Sequence, residues 1–492
     1  MSMIAPATSA RLMVGIEIHV QLATRTKLFC GCALEFGAEP NSRVCPVCLG
    51  LPGVLPVMNR QAYEFSVITA LALNCEIARH TKWDRKSYYY PDLPKNYQIS
   101  QYDMPLSEHG YLEIATESGT RRIRIKRAHL EEDAGKNTHD LPGCTGVDLN
   151  RTGTPLLEIV TEPDIESADE AYAFCTELHR LVTYLGVSHG NMQMGHMRFE
   201  PNINLIIDHN GAEYRTPIVE VKNLNSFRAV RGAIEYEARR QLTDWETDHD
   251  YVLKKAPNEN RGWDDEKSVT IFQRGKELAH DYRYFPDPDL APVEIDDAWL
   301  DRCRTAVREL PLARRSRLRE TYQLGEEAVE AIVAERRAAD LFESAISAGG
   351  PADIVAKQFV NYWLKGANDR GTAVHELDVS ADRMGGLAKL VGDGTLSASA
   401  AATIAEAMLD SPDAPDVLAD KLGLVKVVDK GETEGWVEEA FAANEQAVAD
   451  AKSNPKKAKA AAGFLRGQVM RISGGKADPK LVGELIEQRL AE

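Results

Sequence analysis

At 492 residues the chain is too long for one compact core, and a prior of roughly one domain per 150 residues sets an expectation of several domains. Hydrophobic residues at 43% and charged residues at 27% describe an ordered globular protein, and a net charge of −17 excludes a protein that coats nucleic acid through an overall basic field. No stretch approaches the roughly 18 apolar residues of a membrane-spanning helix, and the N-terminus lacks the charged start and apolar run of a signal peptide, so a cytoplasmic protein is expected.

From Val14 to Leu22 apolar and polar residues alternate without a break. Successive side chains of a strand point to opposite faces, so Glu17, His19 and Gln21 line one face while Ile16, Ile18, Val20 and Leu22 fill the other. Alternation by itself requires only a half-buried strand with one wet face. Next come Cys30, Cys32, Cys45 and Cys48, as Cys-Gly-Cys and Cys-Pro-Val-Cys. Two such pairs can supply four thiolates to the tetrahedral geometry of a closed zinc site, which would hold a loop in place and leave no open position for catalysis. The competing reading is buried cysteines acting as small hydrophobes, which is how Cys75, Cys144, Cys175 and Cys303 are read.

Residues 59–74 read as a helix with Asn59 as its cap. The run from Trp83 to Gln98 interleaves Arg85, Lys86 and Lys95 with Tyr88, Tyr89, Tyr90 and Tyr97. Such a run suits a surface that stacks bases and holds phosphates, and equally a sheet edge bounded by prolines. Residues 123–133 alternate again and lead into Glu131, Glu132 and Asp133. Glu158 sits inside the apolar strand-like run Leu156 to Val160, where an acid is costly to bury unless it is paired or coordinates a metal. Set beside Glu17, His19 and one of Glu131 or Glu132, it would complete an oxygen-rich cluster suited to magnesium and nucleotide phosphates.

Helical texture is expected over 168–186 and from Phe227 to about Gln241, with strands through Asn202–Ile207 and Val219–Ser226. After about residue 295 the pattern turns wholly helical, with Ser380 and Ser397 as candidate caps. The last stretch carries Lys452, Lys456, Lys457, Lys459, Arg466, Arg471, Lys476 and Lys480 against Asp478 alone, a basic patch placed to meet phosphates or else a solvated helix face. There is no Gly-x-x-x-x-Gly-Lys-Ser/Thr loop and no Gly-x-Gly-x-x-Gly after a strand, so any ATP must bind by another route.

Together these stretches resemble the B subunit of the bacterial and archaeal-type aspartyl/glutamyl-tRNA amidotransferase. The resemblance runs over nearly the whole chain, through Gly15–Leu22, Cys45–Gly53, Tyr90–Lys95, Gln98–Tyr102, His129–Lys136, Val221–Phe227, His280–Pro286 and Gly463–Met470. It implies an α+β fold: a cradle-shaped, mixed-sheet catalytic domain over 1–295 with a zinc loop at 30–48, a helical domain over 296–375, and a helical tail over 376–428 and 429–492 that grips tRNA. It further implies ATP-dependent phosphorylation of the side-chain carboxylate of misacylated Glu-tRNA or Asp-tRNA. Ammonia from a glutaminase A subunit then displaces the phosphate, and a C subunit straps the other two into a heterotrimer. On this resemblance Glu17, His19, Glu132 and Glu158 would hold magnesium, with Glu131 second to Glu132. Cys30, Cys32, Cys45 and Cys48 would hold zinc, Arg85, Lys86 and Tyr90 would meet the nucleotide or the terminal adenosine, and Lys456, Lys457, Lys459, Arg466 and Arg471 would meet tRNA. The chain departs from the family pattern at 193–200 and 258–278, where acids of two loops are lost. The alternative from another class is a divergent tRNA-binding protein that keeps its metal sites without phosphorylation. A relic of that kind would have little reason to keep Glu158 in an apolar strand.

Overall fold

The computed structural model describes residues 8–139, 142–276, 282–426, 430–453, 455–474 and 476–491, with the side chains of 430 and 450–459 outside that set. His280 and Asp281 therefore lie outside the described residues, as do the side chains of Lys452, Lys456, Lys457 and Lys459. The chain divides into two compact units, residues 1–313 and 314–492.

The first unit is built on a mixed sheet. Its strands run in the order Val269–Lys276, Asn258–Asp264, Val219–Lys222, Met197–His209, Thr8–Gln21, Pro155–Thr161, Gly119–Glu132, Ser107–Thr116 and Glu76–Ile77, with Ala212–Arg215 added to Met197–His209. All neighbours are antiparallel except Val219–Lys222 and Asn258–Asp264. The alternation of the first strand is realised as expected, with Val14, Ile16, Ile18 and Val20 buried on the core face. Against that face pack Phe174, Leu178 and Leu181 of the helix Ala168–Leu185 and Val230 and Ile234 of the helix Phe227–Thr247. Each helix starts on a serine that satisfies an otherwise orphaned amide: Glu170 N donates to Ser167 Oγ at 3.1 Å and Ala229 N to Ser226 Oγ at 3.0 Å. The expected helix after Asn59 spans Arg60–Ala72, with Ala62 N donating to Asn59 Oδ1.

Two departures of sequence are placed by this sheet. Residues 258–276 form the edge strands, whereas 197–200 begin the strand beside Thr8–Gln21. The aromatic and basic run resolves as a small three-stranded sheet, Phe285–Pro286, Asp84–Ser87 and Tyr97–Ser100. It carries Lys86 and brings the Tyr282–Phe285 segment to it.

The second unit is helical among its described residues, and Ser380 and Ser397 cap the helices Ala381–Gly392 and Ala398–Met408 as expected. Its last helices enclose a small core of their own around Val437, Leu465, Val469, Val482 and Ile486. Arg466 and Arg471 lie exposed on the helix Pro455–Ile472.

Candidate active site

Strand register assembles the site. In the central antiparallel pairs Arg198 lies opposite His19, His19 opposite Glu158, and Glu158 opposite His129, so four polar residues form one transverse row on the face away from the core. Glu17 and Glu200 are paired in the adjacent row, and Glu131 stands two residues beyond His129 on the same face. His19 Nε2 is the hub, 3.7 Å from Glu17 Oε1, 3.4 Å from Glu131 Oε1 and 3.7 Å from Glu158 Oε2. Lys86 reaches in from the small sheet, its Nζ 3.7 Å from Glu131 Oε2 and 5.3 Å from the centre of the Tyr282 ring.

The electrostatics of this group are those of an incomplete charge balance. Burial, followed by the charge of Glu158, pushes the Glu17 carboxyl up to about 7. Burial and the charge of Glu131 likewise raise Glu158. Burial works against the His19 imidazolium, but the hydrogen bond and charge of Glu131, with the charge of Glu158, carry it up to about 9. Glu131, against its own burial, is held below the usual carboxylate range by Lys86 and His19. Burial and then Arg127 push His129 down to about 3, so that imidazole is neutral. Three carboxylates and two imidazoles converging on one face, with the Nδ1 atoms of both histidines buried and without partners, are a donor set that fits a hard or borderline divalent cation.

Glu132 is not in this group. It faces the other side of its strand, where it pairs with Lys95 and accepts from Ile99 N at 3.0 Å. The structure puts Glu131 where the resemblance favoured Glu132. The cause is a register shift: Val160 pairs with Arg127 but Thr161 with Ile125, so one residue is unpaired and the face reverses. Of the residues offered for the nucleotide, Lys86 joins the acid group. Arg85 is committed elsewhere, donating to Asp287 at 2.7 Å and Asp289 at 3.2 Å with its guanidinium 4.3 Å from the Tyr97 ring centre. Tyr90 is exposed. Residue-by-residue reading missed His129, Arg127 and Arg198; the two-residue spacing of Arg127, His129 and Glu131 was the signal for the first two.

The four cysteines also converge, with one Sγ each within 4.8 Å of one another. Zinc–sulfur bonds of about 2.3 Å imply tetrahedral edges near 3.8 Å, so this spacing fits a four-thiolate zinc site. Backbone turns build the knuckle: Cys45 N donates to Cys48 Sγ at 3.1 Å, and Gly50 takes the left-handed conformation (φ 68°) that ends the turn Pro46–Leu49. The hydrogen bond from Cys30 pulls the Cys48 thiol down to about 4, and the buried Lys27 ammonium adds to it from 3.5 Å. A thiolate is the form that ligates zinc.

These features define a class: a two-unit α+β protein with a carboxylate–imidazole centre on its sheet, a separate thiolate knuckle and a helical second unit. Residues 12–301 match the GatB/GatE catalytic domain and residues 340–490 the GatB domain. The chain is 45% identical over 482 residues to the B subunit of the aspartyl/glutamyl-tRNA(Asn/Gln) amidotransferase of Geobacter sulfurreducens, covering 97% of this chain and 98% of that protein. It is 43% identical over 484 residues to the same protein of Carboxydothermus hydrogenoformans, covering 98% of each. Against that of Rhodopirellula baltica it is 45% identical over 486 residues, covering 98% of this chain and 97% of that protein. The chain belongs to the B-subunit family of the aspartyl/glutamyl-tRNA(Asn/Gln) amidotransferases and is one component of such an enzyme. Among the described residues no helix is long and apolar enough to cross a membrane.

Proposed function

We propose that this chain, assembled in the cytoplasm with a glutaminase A subunit and a C subunit, uses ATP to phosphorylate the side-chain carboxylate of misacylated Glu-tRNA or Asp-tRNA and passes the product to ammonia. The observation that carries this reading is the convergence of Glu17, His19, Glu131 and Glu158 from three strands, with Lys86 beside Glu131.

A free carboxylate resists amidation because oxide would have to leave. In the proposed sequence a carboxylate oxygen of the aminoacyl group attacks the γ-phosphorus of ATP and the bond to ADP breaks. The nitrogen lone pair of ammonia then attacks the acyl carbon, the carbon–oxygen bond to phosphate breaks, and a proton leaves the nitrogen. Magnesium bound by Glu17, His19, Glu131 and Glu158 would neutralise the charge that gathers on the phosphate oxygens. The chain's own side chains then have distinct tasks. The carboxylates and His19 hold the cation, and Lys86 offers a positive charge at the rim. Tyr88, Tyr282 and Tyr284 wall the space beside it, with ring centres of Tyr88 and Tyr282 6.0 Å apart and those of Tyr282 and Tyr284 6.2 Å apart. Cys30, Cys32, Cys45 and Cys48 would hold zinc, and the exposed Arg466 and Arg471 with Lys456, Lys457 and Lys459 would meet the tRNA body.

The test is formation of labelled acyl phosphate on Glu-tRNA and Asp-tRNA by this chain with its A and C partners, given magnesium and [γ-³²P]ATP but no ammonia donor. Label on either tRNA that disappears with Glu158→Gln supports the kinase reading and identifies the substrate. tRNA bound without label would replace it with the binding-protein reading.

A further inference from the structure

We propose that Lys27 is the built-in counter-ion of the cysteine knuckle: its ammonium bonds the sulfur of Cys48 in the zinc-loaded protein and sets how tightly the loop holds its metal. The proposal rests on the reading that Cys30, Cys32, Cys45 and Cys48 hold zinc. It adds a positioning residue that acts through one of the ligands without touching the metal.

A lysine is seldom fully buried without an acid beside it, because an ammonium taken out of water must find a counter-charge. Lys27 is 0% exposed, and among the described residues its ammonium has no ion pair with a carboxylate. It donates to Cys48 Sγ at 3.5 Å and to Leu149 O at 3.4 Å. Lys95, buried nearby, shows the ordinary solution, since it is paired with Glu132. Glu132 is also the acid nearest to hand for Lys27. A side chain at Gly153 would meet Glu132 Oε1 at 3.5 Å, Lys27 Cδ at 3.6 Å and Cys48 Cβ at 3.7 Å. Yet Glu132 is engaged by Lys95 and by Ile99 N. A neutral thiol and a carbonyl at these distances do not offset the burial of a full charge. A zinc-loaded knuckle does: four thiolates against the two charges of zinc leave two negative charges on the group, and the ammonium lies against one of its sulfurs.

The backbone fixes this placement. Lys27 N donates to Cys32 O at 3.1 Å inside the knuckle, Asn59 Nδ2 donates to Lys27 O at 3.3 Å, and Leu28 N donates to Gly153 O at 2.8 Å. Leu149, whose carbonyl takes the second bond of the ammonium, is itself held by the loop, its N donating to Asn41 Oδ1 at 2.8 Å. The lysine thus starts within the knuckle, runs past Gly153 and ends between a cysteine sulfur and the segment that packs on the loop. A charged N–H···S bond draws electron density from the sulfur. It also favours the loaded site over the empty one, because the ammonium is buried in both and finds its counter-charge only in the first.

The experiment compares the full-length chain with Lys27→Met, Lys27→Gln and Lys27→Arg. Zinc affinity is read by competition with a chromogenic chelator, and the thiolate-to-metal charge-transfer band is read in the cobalt-substituted proteins. Lys27→Met should weaken zinc binding by about tenfold to a hundredfold and move the cobalt band to lower energy, as an unbonded sulfur is the better electron donor. Lys27→Gln, which keeps an N–H donor without the charge, should fall nearer to Lys27→Met than to the parent, and it carries the test where Lys27→Met folds poorly. Lys27→Arg, which keeps the charge, should recover most of the affinity. Affinity within about twofold of the parent in the uncharged variants would overturn the role of Lys27 and leave the four-thiolate site standing. Equal losses in Lys27→Arg and Lys27→Met with an unmoved cobalt band would also overturn it, since packing alone predicts that pattern. A parent chain that binds no zinc would overturn both readings.

Discussion

The cysteine knuckle and the carboxylate–imidazole centre are both metal-type groups of the first unit, and they are put together in opposite ways. The thiols fall between Cys30 and Cys48 on one loop, shaped by its own turns and anchored by Asn41 and Arg43 to Val147, Asp148 and Asn150. The sheet centre draws on residues from Glu17 to Glu158, on three strands whose neighbours in the sheet are far apart in the chain. The first depends mainly on the turns and anchors of a single loop, while the second depends on every hydrogen-bonded pair that fixes register, since a slip of one residue turns each side chain to the opposite face.

The largest expected effect tests the sheet centre at its middle strand. Glu158→Gln should cut acyl-phosphate formation by at least about a thousandfold, because a charge placed to organise the transferring phosphoryl group is gone. Single-turnover labelling decides it, and activity within tenfold of the parent would sink the assignment. Thermal unfolding should not suffer, since the replaced acid is buried at a cost to the fold.

Breaking the knuckle should act on stability instead. Cys30→Ser is expected to take zinc content from one per chain to none, to lower stability by about 3 kcal/mol and to open the 30–56 loop to proteolysis. Zinc analysis with urea denaturation checks it, and an unchanged metal content would contradict the closed four-thiolate site.

A smaller effect separates the two groups by pH. In protein without added divalent cation, His19 holds its proton up to about 9 when folded, against an ordinary histidine value near 6.5. The folded state therefore binds more protons than the unfolded state between these values. The stabilisation is complete below the lower value and lost as pH rises through the upper one. Stability should fall by about 2 kcal/mol from pH 7 to 9, and His19→Gln should flatten the slope. Glu17, raised to about 7, and His129, lowered to about 3, exchange their protons chiefly below this window. A slope that survives in His19→Gln would assign it elsewhere.

Glu131 and Glu132 give a neighbouring pair on opposite faces of one strand. Glu131→Gln should weaken Mn²⁺ binding by about tenfold or more, and Glu132→Gln should leave that affinity within about twofold, its loss falling on Lys95 and Ile99. Calorimetric titration distinguishes them, and equal losses would undo the assignment by face. Smallest of all, removing residues 430–492, which enclose their own small core, should reduce tRNA affinity by about fivefold and flatten its salt dependence while the sheet unit stays folded. An unchanged affinity and salt slope would rule out the tail as a tRNA contact.

Much of this molecule was legible before folding. The alternation from Val14 to Leu22, the capped helices after Asn59, Ser380 and Ser397, and the turn from strands to helices after about residue 295 all follow from local periodicity and capping, and all are realised. Glu158 announced itself as an acid among apolar neighbours, and the spacing of the thiols brought the knuckle into view. What sequence could not resolve was which of two adjacent acids joins the centre. Alternation carried forward from the buried Ile123 and Ile125 would put Glu131 on the core face and leave Glu132 on the wet one. The unpaired residue between Ile125 and Arg127 reverses this, and a bulge is a property of two strands pairing, absent from either alone. Sequence by itself thus determined the alternating first strand, the capped helices and the cysteine spacing, because these depend on neighbours a few residues apart. Tertiary structure decided that Glu131 rather than Glu132 meets His19, that Glu158 stands between His19 and His129, and that Arg85 is engaged by Asp287 while Lys86 reaches the acids, because each is fixed by register and packing between distant segments.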